Sequence, residues 1–300
     1  MEKKIFQYPN INEPAFSFSL LGITIEIQWY GLSYICGVLI AWYLMLMIVR
    51  DERLWEINKK TITKHNIDDL ITYMILGILI GGRLGYCFFY TPLYYLENPQ
   101  KILFLWEGGM SFHGGFLGVL ISGILFALKN KLPILTLGDI IAFSSPPGLF
   151  FGRLANFING ELWGKPTSSI FGIHFTKGGG QFCPNKEMVC LRHPSQLYEA
   201  ALEGVCLLGI FFILVYYFKA LKKPGVIFGS FLLGYGLIRF FIEFVREPDS
   251  FFVTEKNPLG HIIQISTNLG FSMGQVLCVP MIIVGFWLIW KATGQNRECH

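Results

Sequence analysis

Seven stretches of this chain, roughly residues 28–49, 70–91, 111–128, 134–151, 197–218, 225–245 and 271–290, are apolar. Each is about as long as the ~20 residues a helix needs to cross a bilayer. Apolar residues gathered in long blocks, rather than spaced at a period of two or 3.6, do not describe the half-buried elements of a soluble domain. Composition agrees: 53% of residues are hydrophobic, only 15% are charged, and the mean hydropathy is +0.49. The expectation is an all-α integral membrane protein with seven transmembrane helices, forming one polytopic domain over residues 1–300 with no internal repeat or linker. The fourth block is the least apolar. It carries Asp139, Ser144, Ser145, Pro146 and Pro147, so a broken or partly inserted segment is expected there. Residues 1–16 contain Pro9, Asn10, Asn12, Glu13 and Pro14 and no apolar core. No cleavable signal peptide is therefore expected, and the first span serves as the insertion signal. Gly77/Gly81/Gly85, Gly114/Gly118 and Gly225/Gly229 follow the small-xxx-small spacing that lets helices approach closely.

Lys and Arg in the loops set the orientation. The loops after the first, third, fifth and seventh blocks hold twelve basic residues, and the opposite set holds ten, five of them in residues 152–196. The expectation is an outward-facing N-terminus, a cytoplasmic C-terminus and an outward-facing loop region over 152–196. The net charge of +4 is spread along the chain and indicates no nucleic-acid partner.

With that orientation, unlike polar groups from all the blocks reach one level. Tyr235, Arg239 and Glu243 are spaced i, i+4, i+8 on one helical stripe, with Arg239 ~21 Å along its span. Arg83 reaches a comparable depth. Trp29 and Tyr30 open the first span, Ser111 and His113 the third, and Glu199 lies one turn into the fifth. Behind the fourth block, GRLANFINGELWG (152–164) packs Arg153, Asn156, Asn159 and Glu161 at the membrane boundary. Interfacial anchoring suits Trp29 and Arg246. It suits Arg83 and Arg239 less, because an intramembrane guanidinium requires a partner. Glu243 is the local candidate for Arg239, as a purely structural ion pair or as part of a site; Arg83 has no candidate in its own helix. Two intramembrane Arg with Arg153 at headgroup height point to a lipid phosphate, which Arg grips with its planar fork. His113 is either an interfacial histidine or a proton acceptor at that level.

The sequence has no GxSxG, HExxH, SxxK or P-loop, and no Asp/Glu/His cluster suited to a metal, so no metal or other cofactor is expected. Four of the seven cysteines, Cys36, Cys87, Cys206 and Cys278, lie in apolar blocks as packing residues. Cys183 and Cys190 share one loop, either as a disulfide in an oxidising compartment or as two thiols.

GRLANFINGELWG resembles the signature of bacterial prolipoprotein diacylglyceryl transferases, as do WYG (29–31), GGRLGY (81–86), SFHGG (111–115), HPSQLYE (193–199) and YGLIRFFIEFVREPD (235–249). The likeness runs from about residue 14 to 291. It implies seven spans with an outward N-terminus in the bacterial inner membrane, and a transferase with its active site facing the periplasmic leaflet. The implied reaction moves a diacylglyceryl group from phosphatidylglycerol to the lipobox cysteine of a prolipoprotein signal peptide, forming a thioether and releasing glycerol phosphate. It further implies His113, Arg239 and Glu243 as catalytic residues. Arg153, Asn156, Tyr30, Tyr235, Glu161, Gly164, Arg83 and Glu199 would form the phosphatidylglycerol site. The chain departs from the pattern in the 165–192 insert and at Glu247. A transporter, or a lipid-binding protein using the same Arg cluster, is the competing reading. A transporter would place its charges near the midplane and often show repeated halves, neither of which is visible.

Overall fold

The computed structural model describes all residues except 1–5, 12, 21–22, 57–61, 106–107, 179, 181, 184–185, 249–251, 255–256, 258, 267–268 and 295–300. Among these residues, ten α-helical segments follow in chain order: α1 (Trp29–Arg50), α2 (Lys64–Phe89), α3 (Pro92–Glu97), α4 (Phe112–Lys129), α5 (Ile134–Ser144), α6 (Pro146–Ile158), α7 (Ser195–Glu199), α8 (Leu207–Phe212), α9 (Val226–Ile242) and α10 (Met273–Gly294). Two π-helical stretches, Ala200–Cys206 and Ile213–Tyr217, join with α7 and α8 into one continuous helix, Ser195–Tyr217. Among the described residues, five helices are long and apolar enough to cross a membrane: Trp29–Arg50, Lys64–Phe89, Ile134–Ile158, Ser195–Tyr217 and Met273–Gly294. Two shorter apolar helices, His113–Lys129 and Val226–Ile242, occupy the third and sixth blocks.

The fold is mostly helical, but among the described residues four two-stranded sheets lie between the helices, which the all-α reading did not include. They pair β1 (Phe6–Gln7) with β4 (Ile173–His174) in parallel, and β2 (Phe16–Leu20) with β3 (Ile23–Ile27) antiparallel. β5 (Phe182–Cys183) pairs with β6 (Lys186–Val189), and β7 (Ile263–Ser266) with β8 (Leu269–Phe271), both antiparallel.

The fourth block is indeed broken, at Ser145–Pro146, since a proline inside a helix forfeits an i→i−4 bond. Ser144 and Ser145 turn their hydroxyls back to the carbonyls of Ile140 and Ile141 at the break. The helix then resumes as α6 and runs to Ile158, beyond the expected end at 151. Arg153 and Asn156 therefore sit on a helix, not in the loop assigned to 152–196. Asp139 is explained by a capping role: its Oδ2 accepts Gly225 N–H at 2.7 Å and its Oδ1 accepts Phe228 N–H at 2.8 Å, closing the start of α9 from a neighbouring helix.

Glycine stripes set the helix pairing. A Cβ built on Gly118 would stand 1.9 Å from the Gly77 carbonyl oxygen, and one on Gly114 2.2 Å from that of Gly81, so α2 and α4 touch backbone to backbone. The Gly225/Gly229 pair divides. Gly229 packs against Gly285 of α10, where a Cβ would lie 2.9 Å from the Gly285 oxygen, whereas Gly225 takes φ +97° as the N-cap of α9.

The apolar core gathers at one end of the bundle. It comprises the last turns of α1 (Met45, Ile48), the first of α2 (Ile67, Leu70), the end of α4 (Phe126), α5 (Ile140, Phe143), α8 (Phe211) and the start of α9 (Ile227). Tyr30, Arg83, His113, Arg153, Glu199 and Arg239 fall at the opposite ends of these helices.

Candidate active site

Arg239 and Glu243 are one turn apart at the end of α9, and Arg239 Nη2 reaches Glu243 Oε2 at 2.8 Å. The second arm of the same guanidinium, Nη1, donates to Glu199 Oε1 at 2.7 Å on the first turn of Ser195–Tyr217. The π-helical i→i+5 bonding that follows widens the turn, so residues four apart fall closer to one line than in an α-helix. Glu203 is thereby stacked near Glu199 and shares its partner. Arg153 Nε, arriving from α6, stands 3.0 Å from Glu199 Oε2 and 3.4 Å from Glu203 Oε2. Arg246, behind α9, brings Nη1 to 3.7 Å from Glu199 Oε1. Three guanidinium groups and three carboxylates thus meet in one cluster. Glu199 and Glu203 are fully buried, and Arg153, Arg239 and Arg246 nearly so. Tyr235 precedes Arg239 by one turn and stacks on Phe231 with ring centroids 5.8 Å apart.

A second network lies on the α1 side of α6. Asn156 Nδ2 donates to the Tyr30 hydroxyl, which donates to Glu161 Oε2 at 3.0 Å. Gln196 Nε2 donates to the Glu161 carbonyl, and Ser195 Oγ to that of Leu162 at 2.9 Å, tying this network to the helix that carries Glu199. Gly164 is the clamp between segments. Its N–H donates to His193 O at 2.8 Å, Lys165 N–H donates to Val245 O at 2.8 Å, and a Cβ at 164 would lie 2.6 Å from both His193 Cβ and Val245 O. Only glycine fits there. Arg192 locks the same junction: buried, it donates to Gly180 O at 2.9 Å and Gly164 O at 3.1 Å, pairs with Glu247 at 2.9 Å, and covers the Trp163 ring. Glu247 thereby acquires a role that the sequence did not suggest.

Tyr30, Asn156, Glu161, Gly164, Arg153, Glu199, Arg239 and Glu243 are thus brought to one end of the bundle through two linked networks, with Tyr235 one turn before Arg239 on α9. Arg83 is not part of either. Its guanidinium donates to the backbone carbonyls of Ile102 (2.9 Å), Lys101 (2.6 Å), Phe104 (3.0 Å), Gly109 (3.2 Å) and Gly108, with its charge over the Tyr95 ring. The partners missing from its own helix are these backbone carbonyls, so Arg83 holds residues 101–104, 108 and 109 in place. His113 is exposed on the first turn of α4, whose start is capped by Ser111 Oγ accepting Gly114 N–H at 3.2 Å. α4 contributes none of the ion pairs above.

Two members of the cluster escaped sequence reasoning. Glu203 was read as part of an apolar block, although its spacing of four from Glu199 was a usable signal. Arg246 was read as an interfacial anchor, and the structure corrects this: it turns inward to Glu199.

A cavity of about 170 Å³ borders the cluster through Glu243 and Arg246, with Lys165, His261 and Ser272 among its lining residues. Burial holds the Lys165 ammonium below the usual lysine range. Cys190 is disulfide-bonded, while the side chain of the expected partner, Cys183, lies outside the described residues. Cys36, Cys87, Cys206 and Cys278 are free.

Residues 17–291 match the family model described as prolipoprotein diacylglyceryl transferase. A phosphatidylglycerol–prolipoprotein diacylglyceryl transferase of Cereibacter sphaeroides is 49% identical over 285 residues, covering 95% of this chain and 97% of the relative. One of Ruegeria pomeroyi is 48% identical over 96% of this chain and 97% of its own. One of Agrobacterium fabrum is 41% identical over 98% and 96%.

Proposed function

From the premise that the chain belongs to the prolipoprotein diacylglyceryl transferase family, we propose that its Arg-rich cluster is where the family's reaction takes place. As a transferase, the protein moves a diacylglyceryl group from phosphatidylglycerol to a prolipoprotein, joining it to the lipobox cysteine as a thioether and releasing glycerol phosphate. The observation that carries the site assignment is the convergence of Arg153 from α6 with Arg239 from the end of α9 and Arg246 just behind it, at 3.0, 2.7 and 3.7 Å from a single carboxylate.

In this reading Arg153 and Arg239 bind the phosphate. As the glyceryl carbon–oxygen bond breaks, the departing phosphate gains negative charge, and preorganised guanidinium groups stabilise that change by about 3–4 kcal/mol for a single donor. Glu243 fixes the fork of Arg239 while Ser272 Oγ, 3.0 Å from its other oxygen, fixes Glu243. Tyr30, Asn156 and Glu161 order the wall beside the headgroup, and Tyr235 lines the lipid site. Gly164 and Arg83 act through the backbone that they position. A free thiol is only a few per cent thiolate at neutral pH, so a base is needed. His113 fills that role, taking the thiol proton as sulfur attacks the glyceryl carbon.

We further read the bundle as seven spans, the two shorter helices included: 18 residues in α4 give about 27 Å. The N-terminus and the active site face the periplasm of the inner membrane, as the Lys/Arg distribution supports, and the prolipoprotein approaches by its signal peptide near the 165–192 insert.

The test is a mixture of purified protein, phosphatidylglycerol and a lipobox peptide in detergent. Mass spectrometry should find a thioether-linked diacylglyceryl peptide, and a peptide with serine in place of cysteine should stay unmodified. Full turnover by Arg239→Ala would remove the cluster from the mechanism, and full turnover by His113→Gln would remove the base.

A further inference from the structure

Glu199 is the hub of the cluster. Its two oxygens receive Arg239 at 2.7 Å, Arg153 at 3.0 Å and Arg246 at 3.7 Å, and its side chain is 1% exposed. A carboxylate and the two free oxygens of a phosphodiester are alike to an Arg fork: each offers one negative charge on a pair of acceptors. The position at which three guanidinium groups meet is therefore already taken by an anion supplied by the chain. Among the described residues the cluster balances, Arg153, Arg239 and Arg246 against Glu199, Glu203 and Glu243. A phosphodiester added to that set would face Glu199 as a like charge at close range, shielded from water.

We infer that Glu199 is a resident stand-in for the phosphate, a positioning residue that holds the guanidinium groups in their receiving arrangement and yields its place when phosphatidylglycerol binds. This deepens the proposed function and rests on its reading of the cluster as the phosphate site. Glu203 is the fixed counter-charge during the exchange. It is 0% exposed, and its Oε2 lies 3.4 Å from both Nε and Nη2 of Arg153. The groups facing Glu199 are Arg153 from α6, Arg239 and Tyr235 from α9, and Arg246 behind it, with Glu203 on its own helix. The arrangement has two effects. The guanidinium groups are kept together before substrate arrives despite their mutual repulsion. After the carbon–oxygen bond breaks, the returning carboxylate displaces glycerol phosphate.

The inference predicts a sign. Phosphatidylglycerol binding is measured without acceptor peptide on the full-length protein in nanodiscs, by titrating the lipid and following intrinsic tryptophan fluorescence. Glu199→Gln, which keeps shape and removes the competing charge, should bind about tenfold tighter, with KM for phosphatidylglycerol falling and kcat falling because product leaves slowly. Weaker or unchanged binding overturns the inference. Glu203→Gln should loosen binding several-fold, because Arg153 loses its holder; tighter binding here too would mean that any lost negative charge suffices, and the specific exchange at Glu199 would fail. A measurement on the unaltered protein is independent of variant folding. Its infrared difference spectrum on adding phosphatidylglycerol should show a shifted carboxylate stretch, and a flat carboxylate region would sink the exchange. If instead the lipid binds with the expected sign but no thioether product forms with a lipobox peptide, the transferase reading of the cluster fails while the exchange stands.

Discussion

The two ends of the helix bundle are held by opposite means. At one, Met45, Ile48, Phe126, Phe143, Phe211 and Ile227 pack at close to zero exposure. The polar atoms that enter this end are matched: Asp139 is bonded to Gly225 and Phe228, and the Trp55 indole donates to Ile48 O at 2.9 Å. At the other end Gln196 Oε1, Glu199 Oε2, Glu203 Oε1 and Glu243 Oε2 are buried without a hydrogen bond among the described residues, although Glu199 Oε2 and Glu243 Oε2 lie at ion-pair distance from Arg153 and Arg239. Lipid removes the ordinary hydrophobic drive between helices, so the first end is stabilised by dispersion and shape. Buried ion pairs roughly break even against desolvation, so the second end adds little stability. Acceptors left with spare capacity beside three cations are what a site needs if its contents are to be exchanged. One end maintains the fold, and the other is where we propose the chemistry takes place.

The strongest way to break this division is to replace a pair. Arg153→Met combined with Glu203→Leu should lower turnover a hundredfold or more, while leaving the thermal midpoint level or higher because the pair is removed together. A midpoint drop as deep as that of a core variant would show that the polar end also holds the bundle. Phe143→Ala is the mirror experiment. It should cost about 3–5 kcal/mol of stability, visible as a lower melting temperature, with KM for phosphatidylglycerol unchanged in the folded fraction. Gly118→Ala tests the α2–α4 seam, where the added methyl meets the Gly77 oxygen; it should destabilise by about 1–3 kcal/mol, with turnover of the surviving protein preserved. The smallest effect concerns pH. Burial holds His193 below the ordinary histidine pKa, so the unfolded chain binds the proton more readily. That contribution to stability is complete above the ordinary histidine pKa and fades as pH falls through it. A His193→Gln variant should show a flatter melting temperature between pH 7 and pH 5, and an identical slope would dismiss His193 as a source.

What the sequence disclosed and what it withheld follow from range. Apolar blocks, the Gly77/Gly81/Gly85 and Gly114/Gly118 spacings, and the Arg239–Glu243 pair are local patterns, and the structure reproduces them. The partners of Arg83 were not legible, because they are backbone carbonyls 18 to 26 residues away, which no residue type announces. Arg246 and Glu247 were misjudged for the same reason, since their partners, Glu199 and Arg192, lie on segments that meet only in the fold. Glu203 was within reach. A second acid four residues after Glu199 inside an apolar block is costly unless a cation waits for it, and Arg153 does. The β2–β3 hairpin was also legible: FSFSL and ITIEI alternate with a period of two, a signal overshadowed by the longer blocks around it.

The clamp at Gly164 has a consequence for biosynthesis. Its partners arrive late: His193 is made 29 residues after it, and Val245, which receives the neighbouring N–H of Lys165, 81 residues after. Arg239 and Arg246 come from the same late stretch. A chain still emerging from the ribosome therefore has most of its membrane helices but neither a closed cap nor a full set of cations. On the proposed reading of the cluster, diacylglyceryl transfer becomes possible only once the sixth block, with Arg239, has been made.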